Sequence, residues 1–172
     1  RQARAAVGAE ALRVGVAVDA EHGTLLTEYR PGTPWQPDEA REPRNLVRVA
    51  ELMRRLHALT VELPAFAAER IAARYLARLK EVPAAHEPRA RRWGEELVAC
   101  ARQHDAHYAP SVFCHHDLLA ANILDDGGLV LVDFEYAVRA TPLLDLASFA
   151  AMNGLHADER YALLTAYRGR EP

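Results

Sequence analysis

Asp125, Asp126, Gly127 and Gly128 stand between two short apolar runs, Ile123-Leu124 and Leu129-Val130-Leu131-Val132. An Asp-Gly step flanked by strand-forming residues is a tight-turn signal, so the chain must reverse here and pair the two runs as a β-hairpin. The reversal brings the residues after the second run back beside those before the first. Residues 122–124 are therefore expected to be extended, residues 129–134 to form a buried strand, and Asp133 to return next to Asn122. Just upstream, residues 111–114 read as another short strand and residues 115–121 as a loop.

The polar residues around this hairpin form a pattern. His115, Asp117 and Asn122 fit His-x-Asp-x-x-x-x-Asn, and Asp133 and Glu135 end the apolar strand eleven residues later. The first motif alone is weak: it arises by chance in under about one in a hundred chains of this length. Joined to the strand and its Asp-Phe-Glu ending through a Gly-containing turn, it becomes specific. Phosphoryl transfer from ATP asks a protein mainly to position groups and neutralise charge. It needs a carboxylate near the attacking hydroxyl and hard oxygen ligands for Mg²⁺. Asp and Asn five apart on a loop, with a second Asp returned by a hairpin, meet that need.

The rest of the chain reads as packing. Residues 1–12 suggest the end of a helix broken near Gly8, and residues 14–18 and 24–29 two strands around a hairpin connection. Arg30-Pro31-Gly32-Thr33-Pro34 interrupts any regular element. Leu46, Val49, Met53 and Leu56 recur at helical steps, predicting a helix that ends near His57. There an imidazole complements the helix dipole. A helix over about 65–80 carries Ile71, Tyr75 and Leu79 on one face. Another over about 88–104 turns Trp93, Leu97 and Cys100 or Ala101 inward. Residues 143–152 are helical with Asn153-Gly154 as a left-handed cap, and Asp158 caps a last helix that ends at Gly169.

A formal net charge of -3 in 172 residues offers no basic excess for nucleic acid, and no apolar run is long enough to span a membrane. Cys100 and Cys114 fit no metal spacing and are expected to be buried thiols in a reducing cytoplasm. Oligomeric state is left open. Tyr136 and Trp35 have the chemistry to face a quaternary ammonium group, but a rim or core aromatic is the plainer reading of each.

Residues 113–124 and 131–137 resemble the choline, ethanolamine and thiamine kinase branch of the aminoglycoside phosphotransferase and choline kinase superfamily. Residues 25–32 look like its interlobe hinge, residues 52–59 like its Leu-His helix end, and Thr141 to Ala147 like a third element in order. The resemblance implies an α+β chain. Its main part is the mainly helical C-terminal lobe of a protein-kinase-like fold, with a small β-hairpin catalytic centre and a remnant of the N-terminal lobe. It divides the chain into residues 1–30, front-lobe remnant and hinge, and residues 31–172, the catalytic lobe. It also implies ATP and Mg²⁺ as cofactors and a small-molecule alcohol as substrate. Asp117 would orient or deprotonate that alcohol, and Asn122 and Asp133 would hold Mg²⁺, with Glu135 assisting. The backbone of Glu28 and Arg30 would meet the adenine. Asp145 would brace the loop by accepting backbone hydrogen bonds, with His115 supporting it through its ring.

The front-lobe glycine-rich hairpin and gripping lysine of such kinases have no counterpart in residues 1–30, and Lys80 is the only lysine. The expectation is a piece of a kinase, with a catalytically silent binding module as the alternative. The acceptor is expected to be choline-, ethanolamine- or thiamine-like, with an aminoglycoside or amino sugar second. The His116-Asp117 pair also suggests a metal-dependent phosphohydrolase, but it follows a strand and precedes a hairpin, whereas those pairs lie on helices.

Overall fold

The computed structural model describes residues 17–19, 21–26, 29–78 and 86–169. The reading of residues 1–12 as a helix end, and of Leu79 on the face of the second helix, lies outside them. Strands β1 (Ala17–Asp19) and β2 (Thr24–Leu26) form an antiparallel pair. Gly23 closes it at φ 64, and the Asp19 carboxylate accepts the amide N–H groups of Glu21 and His22 at 3.1 and 3.2 Å. Next come strand β3 (Thr33–Pro34), the short helix α1 (Pro37–Ala40) and the helix α2 (Pro43–His57). Helices α3 (Ala68–Ala77) and α4 (Glu87–His107) form a helical hairpin.

The second half carries the expected polar centre. Strand β4 (Val112–Cys114) leads into the loop, which ends in a 3-10 turn at Ala120–Asn122. Strands β5 (Ile123–Asp125) and β6 (Leu129–Leu131) are the hairpin, β7 (Val138–Ala140) comes next, and helices α5 (Pro142–Met152) and α6 (Ala157–Tyr167) complete the described chain. The sheets are small: β3-β5-β6 in that order, and β4 beside β7, all antiparallel.

Helix α2 starts at Pro43, where the missing N–H costs nothing, and ends with Arg54, Arg55 and His57 at its negative pole. Its apolar stripe of Leu46, Val49, Met53 and Leu56 is buried together with Leu118, Ile123, Leu131, Phe149 and Leu163. Removing such a side chain from water contributes about 1.5–3 kcal/mol each, so loop, hairpin and α5–α6 share one core.

Three expectations are corrected. Trp93 and Leu97 are exposed, as is Cys100, so of the two thiols expected to be buried only Cys114 is; of that helix only Ala101 is buried. The reason lies in how α3 and α4 meet. They approach through the small residues Ala72 and Ala101, outside the main core, and the α3 amides of Ala68 and Glu69 are capped by Asp105 of α4 at 3.1 and 2.9 Å. The larger apolar residues of α4 are left outward, with the Arg89 guanidinium 4.2 Å from the Trp93 ring centroid, and Tyr75 of α3 is exposed too. The strand expected over 129–134 stops at Leu131: the Val132 N–H bonds the Asn122 carbonyl at 3.0 Å, and Asp133 then turns away at φ 65. The last helix is entered at His156, whose N–H bonds Glu159 at 2.6 Å, with Asp158 inside the first turn.

Candidate active site

The loop between β4 and the hairpin is held from below by one carboxylate. Asp145, in the first turn of α5, is completely buried. Its Oδ2 accepts the His115 N–H at 2.9 Å and its Oδ1 the His116 N–H at 2.8 Å. His57 completes the set, with Nε2 3.1 Å from Asp145 Oδ2 and Nδ1 2.8 Å from the Tyr167 hydroxyl. A buried carboxylate costs several kcal/mol unless its lone pairs are used; here three donors use them.

His115 joins the loop to the end of β6. Its Nε2 lies 2.9 Å from the Val132 carbonyl and its Nδ1 3.3 Å from the Asp117 amide nitrogen. A carbonyl only accepts and an amide N–H only donates, so the ring is the neutral Nε2–H tautomer. Burial pushes its pKa below the ordinary histidine value, which suits that state. Phe134 covers the ring at 4.5 Å between centroids.

Asn153 holds the far side of the loop. Its Oδ1 accepts the Ala120 N–H at 2.8 Å, and its Nδ2 donates to the carbonyls of Leu118 and Phe149 at 2.9 and 2.8 Å. Asn153 itself is not left-handed (φ -103), and Gly154 at φ 67 takes that part of the cap.

The two loop residues Asn122 and Asp117 are joined to each other, whereas Asp117, Asp133 and Glu135 do not bring three carboxylate oxygens within 4.8 Å of one another. The Asn122 amide donates to both the Asp117 carbonyl and Asp117 Oδ2, at 2.9 and 3.0 Å. With its nitrogen committed, the Asn122 Oδ1 is left to accept, and it has no partner among the described residues. Asp117 and Asp133 are both close enough to the His115 ring to act on it electrostatically. Asp133 and Glu135 are exposed, and Tyr136 lies against Glu135, whose charge pushes the phenol pKa up. This donor set, amide and carboxylate oxygen with no sulfur, fits a hard divalent cation such as Mg²⁺.

Residues 32–35 are tied to the same hairpin through β3. The Trp35 N–H bonds the Ile123 carbonyl at 3.0 Å and its indole N–H reaches Asp125 Oδ2 at 3.1 Å. Arg48 of α2 grips Asp125 with two nitrogens at 2.5 and 2.7 Å, holding that carboxyl well below the usual range. Gly32 (φ 139) lies so close that a Cβ there would meet Leu124 Cβ at 3.1 Å. Arg30 is half-buried beside this junction; Glu28 lies outside the described residues.

Sequence reasoning overlooked His57, Asn153 and the Arg48–Asp125–Trp35 cluster as parts of the site's support. Among the described residues, His57, Cys114 and Asp145 also bring donor atoms within 4.8 Å of one another. They do not form a metal centre: His57 and the loop amides occupy the carboxylate, and the Cys114 thiol donates to the Thr141 carbonyl at 3.4 Å. Burial pushes that thiol above its ordinary pKa, so no thiolate is at hand.

A loop bearing Asp and Asn, a hairpin returning a second Asp, and a helical core around a buried carboxylate together define the catalytic lobe of a protein-kinase-like fold. The chain belongs to the phosphotransferase enzyme family, whose model matches residues 4–172. Similar solved structures include a choline/ethanolamine kinase family protein from Mesorhizobium loti. It is 28% identical with TM-score 0.73, and the match covers 92% of this chain and 56% of that one. The choline kinase LicA from Streptococcus pneumoniae is 23% identical with TM-score 0.74, covering 91% and 56%. An ethanolamine kinase from Plasmodium vivax is 20% identical with TM-score 0.68, covering 84% and 50%. The chain thus spans about half the length of these structures. The search of curated proteins found no match. No helix among the described residues is long and apolar enough to cross a membrane.

Proposed function

We propose that this chain forms the catalytic lobe of an enzyme that transfers the γ-phosphate of ATP to a hydroxyl of a small molecule. The observation that carries the reading is the Asn122 amide, which donates twice to Asp117 and so leaves its own oxygen to accept, on a residue whose backbone carbonyl pairs with the Val132 N–H next to Asp133. Asp117 then has one carboxylate oxygen fixed and the other, Oδ1, ready to accept the proton of the substrate hydroxyl. Asn122 Oδ1 and Asp133 would hold Mg²⁺, with Glu135 assisting. ATP and the ion would supply the phosphoryl group and neutralise its charge. The Glu28 and Arg30 backbone would receive the adenine. Residues 1–30 would be front-lobe remnant and hinge, and residues 31–172 the catalytic lobe. A related structure, LicA from Streptococcus pneumoniae, was determined in complex with AMP, which supports a nucleotide at this fold's cleft.

The acceptor we favour is choline-, ethanolamine- or thiamine-like, supported by the motif wording and by the 28% identical choline/ethanolamine kinase family structure. An aminoglycoside or amino sugar is the alternative within the same chemistry. The test is a phosphotransfer screen of the complete gene product against choline, ethanolamine, thiamine and aminoglycosides. One acceptor should turn over, and Asp117→Asn should lower its kcat by at least about 10²-fold, the usual reach of a general base. An Asp117→Asn enzyme as fast as wild type removes Asp117 from its role; no transfer to any acceptor overturns the kinase reading.

A further inference from the structure

His116 is the loop residue whose side chain the phosphotransfer reading leaves without a task. Its backbone is left-handed, φ 64, a conformation rare for non-glycine residues and found most at functional sites. The same Asp145 carboxylate that fixes the loop imposes it, through the His116 N–H at 2.8 Å. The half-buried ring then meets Phe66 edge-on, with centroids 4.7 Å apart and planes at 73°, and the backbone of Tyr136 faces its polar edge.

Phe66 stands where the chain enters α3. Its N–H donates to the Arg139 carbonyl at 2.8 Å, and the Arg139 N–H donates to the Pro64 carbonyl at 2.9 Å, so residues 64–66 lie along β7. Phe66 also meets the ring of His104 on α4, with centroids 5.9 Å apart. The α3–α4 hairpin buries Ala72 and Ala101, neither of which joins the core of α2, α5 and α6. Besides the chain itself, which runs from α4 through β4 into the loop, the described side-chain contact between that hairpin and the loop is this aromatic junction, with the short strap beside it. His116, to which the ring belongs, directly precedes Asp117 in the loop, so a shift of this junction is passed to Asp117 through one peptide unit.

We propose that His116 is a positioning residue whose ring, through Phe66, registers the α3–α4 hairpin on the catalytic loop and so sets how the acceptor is presented to Asp117. The registration stands on the geometry alone; the acceptor clause rests on the phosphotransfer reading. His116→Asn keeps a residue type that tolerates the left-handed backbone while removing the ring, and Phe66→Leu removes its partner. Amide hydrogen exchange reads the registration without any turnover. In either variant the Phe66 and Arg139 amides should exchange at least tenfold faster, with the His115 amide within twofold of wild type. The double variant should be no faster than the faster single one. Unchanged exchange at Phe66 and Arg139, or multiplied effects in the double variant, overturns the proposal. Where turnover is measured, His116→Asn should raise KM for the acceptor at least threefold and leave KM for ATP unchanged. Equal rises in both overturn the acceptor clause. Altered exchange in a protein without phosphotransfer would sink the kinase reading and leave the registration standing.

Discussion

Asp145→Asn is the substitution that most directly probes how the loop is built. The carboxylate is fully buried and accepts the two loop amides and the His57 ring, at 2.9, 2.8 and 3.1 Å. An asparagine offers one oxygen in place of two. With that oxygen turned to His115 and His57, its NH₂ faces the His116 N–H, donor against donor, at a fully buried position. The orphaned amide costs about 1–3 kcal/mol, and the two surviving bonds lose the strengthening that a charge gives, about 1–2 kcal/mol more. The expected loss is therefore about 2–5 kcal/mol, a large part of the ~5–15 kcal/mol that holds a domain together. Urea unfolding at neutral pH measures it, and the His116 amide should lose its exchange protection. A variant within about 0.5 kcal/mol of wild type, the scatter of ordinary surface substitutions, would refute the reasoning.

Asn153→Ala strips the Ala120 N–H and the Leu118 carbonyl of their partners and should cost about 2–4 kcal/mol in urea unfolding. Gly32→Ala forces a side chain into a left-handed backbone 3.1 Å from Leu124 Cβ; a loss of about 1–3 kcal/mol is expected, and a neutral result would mean that residue 32 and the hairpin are not in that contact. The Asp125 pKa is depressed first by the Arg48 hydrogen bonds, so this pair's stabilisation is present above the ordinary carboxylate pKa and is lost as pH falls below about 4. Arg48→Met should therefore destabilise by about 1–2 kcal/mol at pH 7, the pair being bidentate but a third exposed on the Arg48 side, and the gap to wild type should shrink in acid. A gap that stays constant from pH 7 to pH 3 would rule the pair out as its source.

The hairpin was legible because its information is local. Asp-Gly turn chemistry and two apolar runs suffice to bring Asp133 back to Asn122, whose carbonyl accepts the Val132 N–H. Helix α2 was legible for the same reason, its stripe being long and strongly periodic. What escaped were partnerships made across the chain. His57 looked like a dipole-complementing end residue, since its proximity to Asp145, 88 positions on, leaves no local trace. Asn153 sits where a cap is expected, and the sequence does not say that its side chain would serve the loop instead. On α4 the period was real but its direction was not: Trp93, Leu97 and Cys100 mark one face of the helix, yet the partner α3 packs where alanines let the two backbones approach. Period tells which residues share a face, and only tertiary contact tells which face is inward.

Six polar side chains are buried among the described residues: Asn45, His57, His115, Thr141, Asp145 and Asn153. Four of them, His57, His115, Asp145 and Asn153, act on the loop of residues 115–122, directly or through Asp145. Buried polar groups lower stability unless fully paired, so concentrating them under one loop spends stability on order at that place. The oxygens suited to chemistry are treated differently: Asp133 and Glu135 are exposed and the Asn122 oxygen has no described partner, while the backbone that carries Asp117 and Asn122 is bonded on both sides. Held backbone and unengaged oxygens are what a site needs when its work is positioning and charge neutralisation. A loop built only for stability would pair its oxygens and would have no use for left-handed residues at His116 and Asp133. The strain at these two positions is thus borne by the same buried network that fixes the geometry, and that network reaches as far as Tyr167 on α6.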